Sequence, residues 1–98
     1  MPSPAIASET ATDEEIVARV RAGDVALYEA LMRRYNRRLF RVARSILRDD
    51  GEAEDVMQDA YVRAYRHLDS FAGEAKFSTW LTRIVVNQCL MRLRQARR

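Results

Sequence analysis

Asp55, Gln58, Asp59 and Val62 stand at i, i+3, i+4 and i+7, so a helix through them carries two carboxylates, an amide and an aliphatic group in one stripe. Such a stripe fits a docking face, but from pattern alone a merely solvated face carries about twice the weight. Further along, Phe71, Phe77 and Trp80 crowd around Lys76. Aromatic rings beside a cation are suited to stacking unpaired bases. Phe77 and Trp80 fit equally as ordinary core. Beyond them Arg83, Asn87, Met91 and Arg94 share a helical face that offers guanidinium groups for phosphates and an amide for base edges or sugar. Taken alone, it is also what an ordinary basic surface looks like.

Reaction chemistry is not legible beside these binding features. An enzyme needs a nucleophile with its base, an acid pair in a cleft, a metal cluster or a phosphate-cradling glycine loop, and none can be read here. His67, the single histidine, is placed near a helix end where a cation complements the dipole. Cys89, the single cysteine, reads as a small buried hydrophobe rather than a nucleophile. Asp49 and Asp50 lack the further oxygen ligands that magnesium or calcium usually needs, and read as a helix cap and a turn. No cofactor and no metal are expected, and the chain is read as a binding protein, not an enzyme.

The elements that must position these residues are helices. A first helix opens at Thr12, whose spacing to Glu15 is that of a capping box, buries Ile16, Val17 and Val20, and stops at Gly23. Asp24 is expected to cap a second helix whose apolar positions Leu27, Leu31, Tyr35, Leu39, Val42 and Ile46 recur every three or four residues, opposite an arginine face. After Asp49-Asp50-Gly51 a third helix has Glu52, Glu54 and Asp55 near its N-terminus, where they complement the dipole, and turns Ala53, Val56, Met57, Ala60, Tyr61, Ala64 and Leu68 inward. From Asp69 to about Lys76 the periodicity stops, and Phe71 lies in a loop without a helical partner. A fourth helix runs from about Phe77, with Trp80, Leu81, Ile84, Val85, Gln88 and Leu93 at helical spacing. The fold class is all-α, a compact bundle of about four helices.

Ninety-eight residues, 48% of them hydrophobic, make one domain with one modest core. Three Gly and two Pro leave little to interrupt a helix. Residues 1–11 read as a disordered leader and 12–98 as the folded domain. No apolar run approaches the ~20 residues of a membrane span, the N-terminus lacks the pattern of a signal peptide, and a lone cysteine fits a reducing compartment, so a cytoplasmic protein is expected. Net charge is only +3, but it is blocked: residues 33–48 hold seven Arg and no acid, residues 49–59 six acids and no base, residues 83–98 five Arg and no acid.

Residues 53–90, AEDVMQDAYVRAYRHLDSFAGEAKFSTWLTRIVVNQCL, closely resemble region two of extracytoplasmic-function sigma factors, through an ED-x-x-QD helix, an SF-x-G loop and an FSTWL-x-RI-x-x-N helix. The resemblance extends over nearly everything from Asp13 to Arg98. It implies a sigma-2-like fold and an alternative sigma factor fragment that binds core RNA polymerase and recognises and melts the promoter minus-ten element. Asp55, Gln58, Asp59 and Val62 would then meet a clamp coiled coil of the polymerase's largest subunit. Phe71 and its loop neighbours would enclose a base flipped from the non-template strand, with Phe77 and Trp80 beside it. Asn87 would read the upstream edge of the element, and Lys76, Arg83 and Arg94 would meet phosphates, while Arg37, Arg38 and Arg41 would approach the non-template strand or be solvated. An anti-sigma factor covering the clamp-binding surface is a further implied partner.

Two departures bear on that expectation. Arg83-Ile84 stands where primary sigma factors present tandem tryptophans, which implies the narrower, single-pocket melting mode. The helix-turn-helix sigma-4 domain that follows in family members is absent, so an excised domain or a short relative is expected. Other readings are a helical interaction module that holds a regulator without touching DNA, and a duplex-binding repressor fragment. The latter is disfavoured because the candidate reading helix follows an aromatic loop, not a tight turn. Burial of Phe71 in the hydrophobic interior, or covering of the Asp55 and Asp59 carboxylates by the chain itself, would end the reading in which the aromatic-bearing loop captures an extruded nucleotide.

Overall fold

The computed structural model describes residues 10–97. Among the described residues four α-helices have defined ends, α1 (Asp13–Arg21), α2 (Ala26–Leu47), α3 (Asp50–Arg66) and α4 (Phe77–Ala96), with one 3-10 turn at Leu68–Ser70 between the last two. The fold is the expected all-α bundle. Of the leader expected over 1–11, residues 1–9 lie outside the described residues. Ala11 packs against the core edge, and its carbonyl accepts a hydrogen bond from Arg34 at 2.7 Å.

Local chemistry sets the helix ends. At α1 the Thr12 hydroxyl accepts from the Glu15 N–H at 3.1 Å and the Glu15 carboxylate accepts from the Thr12 N–H at 2.7 Å, the reciprocal capping box that the spacing predicts. The helix stops where Gly23 takes φ +116°, and the Asp24 N–H returns to the Arg19 carbonyl at 3.0 Å. That turn corrects the expected capping role of Asp24. Its carboxylate lies 3.6 Å from Arg19, and α2 starts at an uncapped Val25 in helical conformation. Asp49 does cap α3, accepting the Glu52 N–H at 2.8 Å, while Asp50 pairs with Arg44 at 2.6 Å.

α2, α3 and α4 pack on one another, and α1 lies against α2. Ala43 on α2 and Ala53, Ala60 and Ala64 on α3 are wholly buried, and these small side chains let the helix backbones approach closely. α4 contributes a ladder at i, i+4, i+8 and i+12: Phe77, Leu81, Val85 and Cys89, each with no exposed surface. On α2 the seam is Leu27, Leu31, Met32, Leu39 and Ala43. The expected Tyr35 and Ile46 are half-buried at its edge, as is Val42. Among the described residues no helix is long and apolar enough to cross a membrane.

Candidate functional site

The connection between α3 and α4 is held in place before it turns. Arg21, at the end of α1, donates to the Asp69 carbonyl at 3.3 Å and lies 3.5 Å from its carboxylate. The Ser70 hydroxyl donates to the His67 carbonyl at 2.7 Å, and the Phe71 N–H to the Leu68 carbonyl at 3.1 Å. Phe71 then enters the molecule, only 6% exposed. Its ring centroid lies 5.5 Å from that of Phe77 in an edge-to-face arrangement and 5.4 Å from that of Trp80.

This arrangement corrects the expectation that Phe71 and Phe77 offer rings to a base: the burial of Phe71 is the outcome that ends capture of an extruded nucleotide by that ring, whereas Asp55 and Asp59 stay uncovered. Phe77 has no exposed surface, and Phe71 is sealed by Phe77 and Trp80. Burying a ring of this size stabilises by about 1.5–3 kcal/mol, which an unpaired loop phenylalanine would forgo. Trp80 is half-buried and is the ring of the three that keeps a solvent edge. What the cluster does expose is the loop around it: residues 72–74 are open to solvent, with Gly73 at φ +78° forming the bend. Lys76, also exposed, opens α4.

Beyond the loop the first half of α4 and the arginine side of α2 border a groove of about 360 Å³, lined by Arg38, Ser78, Thr79, Thr82, Arg83, Val86 and Asn87. The structure thus brings Arg83 and Asn87 together and adds Arg38, one of the α2 arginines of open assignment. The hydroxyl residues were missed. Their signal is the spacing of Thr79 and Arg83, with Thr82 and Val86, on the side of α4 away from the buried ladder. Thr82 donates to the Ser78 carbonyl at 2.7 Å, which leaves its oxygen able to accept another bond. Arg94 lies farther along the helix, bordering a separate cleft with Leu90, Leu93 and Arg97.

Asp55, Gln58, Asp59 and Val62 are all exposed, Val62 by 51%. Gln58 also borders a groove of about 450 Å³ between α2 and α3, with Asn36, Arg37, Phe40, Arg41 and Tyr61 among its walls. Tyr61 is fixed there by a 2.6 Å bond from the Tyr28 hydroxyl to its carbonyl, and its own hydroxyl donates to Asn36 at 2.7 Å. Burial pushes the Tyr61 hydroxyl up to about 12. Burial likewise raises the Cys89 thiol, with Arg92 acting in the opposite sense. Sequence reasoning passed over Arg92, whose guanidinium lies within 4 Å of Glu52, Asp55 and Asp59. Nothing local could have found a contact between helices so far apart in the chain. The described residues gather no group of three or more His, Cys, Asp or Glu side chains able to hold a metal ion.

Residues 31–98 match the family described as Sigma-70 region 2. Among curated proteins, the chain is 45% identical over 86 residues to the ECF RNA polymerase sigma factor SigM of Mycobacterium tuberculosis, covering 88% of this chain and 44% of that protein. It is 41% identical over 80 residues to the ECF RNA polymerase sigma-E factor of Escherichia coli, covering 82% of this chain and 41% of the other. The chain therefore spans less than half the length of these relatives. Among solved structures, an NMR structure of an engineered region 2 of sigmaE in complex with GTAAAA superposes with a TM-score of 0.80 at 40% identity, over 87% of this chain and 88% of that one.

Proposed function

The chain belongs to the sigma-70 region 2 family, and from that premise we propose that it acts as the extracytoplasmic-function factors it resembles, binding core RNA polymerase and capturing the melted minus-ten element of a promoter. The observation that carries this reading is the position of the Arg38–Arg83–Asn87 groove, opening beside a loop whose form is held by a buried aromatic cluster. Two guanidinium groups can track a strand's phosphates, while Asn87 and the neighbouring hydroxyls meet base or sugar edges. Lys76 and Arg94 extend the phosphate path along α4.

Melting requires no catalytic group. Extruding a base costs a few kcal/mol of unstacking and unpairing, and a pocket that encloses it recovers a comparable amount, so binding alone shifts the duplex toward its open form. In this protein the enclosing parts are the rim at 72–74 and the edge of Trp80, with Phe71 and Phe77 as their support. Asp55, Gln58, Asp59 and Val62 form the face for the clamp coiled coil of the largest polymerase subunit, and an anti-sigma factor would cover the same face. Such an activity belongs in the cytoplasm and calls for a binding factor, with no reaction of its own.

Binding of the single-stranded deoxyoligonucleotide GTAAAA, followed by fluorescence anisotropy against a scrambled strand and against duplex, tests the reading. Asn87→Ala is expected to erase about 1–3 kcal/mol of the preference for GTAAAA over the scrambled strand. Arg83→Ala is expected to weaken both strands alike and to lower the salt dependence by about one counterion. Equal affinity for all three oligonucleotides, unchanged by either substitution, would remove the nucleic-acid role.

A further inference from the structure

Glu52, Asp55 and Asp59 lie at i, i+3 and i+7 on one side of α3, where like charges repel. Arg92 reaches them from α4, 40 residues beyond Glu52. Its Nη1 lies 3.4 Å from Glu52 Oε1 and 3.7 Å from Asp55 Oδ2, and its Nη2 lies 3.4 Å from Asp59 Oδ2. The Arg92 side chain is 28% exposed, whereas the three acids keep 49%, 65% and 61% of their surface. The cation therefore lies low between the helices, and the carboxylates still face solvent above it. No contact is as short as the roughly 2.7–2.9 Å of a tight charge-assisted bond, so one guanidinium is shared loosely among three acids.

We infer that Arg92 is an internal counter-ion of the docking stripe, and that a partner presenting cations binds in competition with it. The inference rests on the docking role proposed above for Asp55 and Asp59. Two effects of Arg92 oppose each other. As a brace it orders the carboxylates, but exposed pairs with such long contacts contribute little. As a fixed positive charge it repels every cation that approaches within a Debye length, about 8–10 Å, and this effect does not depend on ideal geometry. Competition outweighs bracing, and the stripe of the free protein is held below its full attraction.

Core RNA polymerase binding by the chain, measured for wild type, Arg92→Gln, Arg92→Lys, the double variant Asp55→Asn/Asp59→Asn and their triple combination with Arg92→Gln, tests this. Arg92→Gln is expected to tighten binding about threefold at low salt, with the gain disappearing at high salt. Arg92→Lys keeps the charge and is expected to match wild type. The double variant is expected to bind more weakly, and adding Arg92→Gln to it to change nothing. All variants are compared below their melting transitions, and Arg92→Met, which keeps the packing of the stem, replaces Arg92→Gln if that variant melts early. Equal or weaker binding by the charge-neutral Arg92 variant, beside a weakened double variant, overturns the competition and leaves the docking role standing. Wild-type binding by the double variant removes the docking role itself, and the inference with it.

Discussion

A phenylalanine in a short connection either waits for a ligand or supports its own loop, and Phe71 does the second. Its ring meets Phe77 edge-on and lies against Trp80, six and nine positions later in the chain, so the socket exists only once α4 has folded back. Residues 69–76 have no period that could have announced this, which is why a loop aromatic reads from sequence as a free stacking platform. The consequence is a separation of stability from binding. Phe71→Ala is expected to destabilise the fold by about 3 kcal/mol through the cavity it leaves, read as a lower melting temperature by circular dichroism. Asn87 is exposed, and its replacement by alanine is expected to leave the melt within about 0.5 kcal/mol of wild type. An unchanged melting temperature for Phe71→Ala would show that the ring supports nothing.

At the scale of elements, the junction of α2 and α3 places two opposite backbone situations side by side. Arg48 ends α2 in the left-handed region at φ 59°, a conformation that costs a non-glycine residue roughly 1 kcal/mol. Asp49, next to it, caps α3 through the Glu52 N–H. Arg48→Gly is therefore expected to raise stability by up to about 1 kcal/mol, partly offset by the greater freedom of glycine in the unfolded chain. Asp49→Ala is expected to lower it by about 1 kcal/mol. Urea midpoints check both, and shifts of the same sign would contradict this account of the junction. The Asp49 cap and the Thr12–Glu15 box were legible because capping is decided within three residues. Asp24 precedes an apolar-periodic run but has Leu27 where the other two have a Glu, and the turn at Gly23 draws its carboxylate toward Arg19. The left-handed Arg48 carried no signal in its residue type, and Arg92 meets α3 through tertiary packing alone. The buried face of α3 was legible, since apolar periodicity is itself the cause of its burial, but on α4 only Leu81 and Val85 of the expected positions are buried, and Trp80, Ile84, Gln88 and Leu93 lie half-buried beside the Phe77, Leu81, Val85 and Cys89 ladder.

Across the whole molecule, tyrosine hydroxyls fasten α2 to its neighbours α1 and α3. Tyr35 donates to Asp13 and joins α2 to α1, Tyr28 donates to the Tyr61 carbonyl and joins α2 to α3, and Tyr61 donates to Asn36 in return. Burial, then the hydrogen bond to Asp13, pushes Tyr35 up to about 12; burial alone pushes Tyr61 to about 12 and is the first cause of the rise at Tyr28. A hydroxyl whose pKa is raised by folding holds its proton more tightly in the folded state than in the unfolded chain, where it titrates near 10.0. Its contribution to stability is thus complete below pH 10 and is lost as pH rises from 10 toward 12. Arginine stays protonated across that window, so the many guanidinium groups do not mask the change. The urea midpoint is expected to fall steeply between pH 10 and 12, and the double variant Tyr35→Phe/Tyr61→Phe to flatten that fall while lowering the neutral-pH midpoint. Because Tyr61 and Asn36 are walls of the groove beside Gln58, the same alkaline transition should loosen the α2–α3 face. Tyrosinate absorbance that rises with pH while the wild-type urea midpoint stays level would show that these hydroxyls do not hold the helices together.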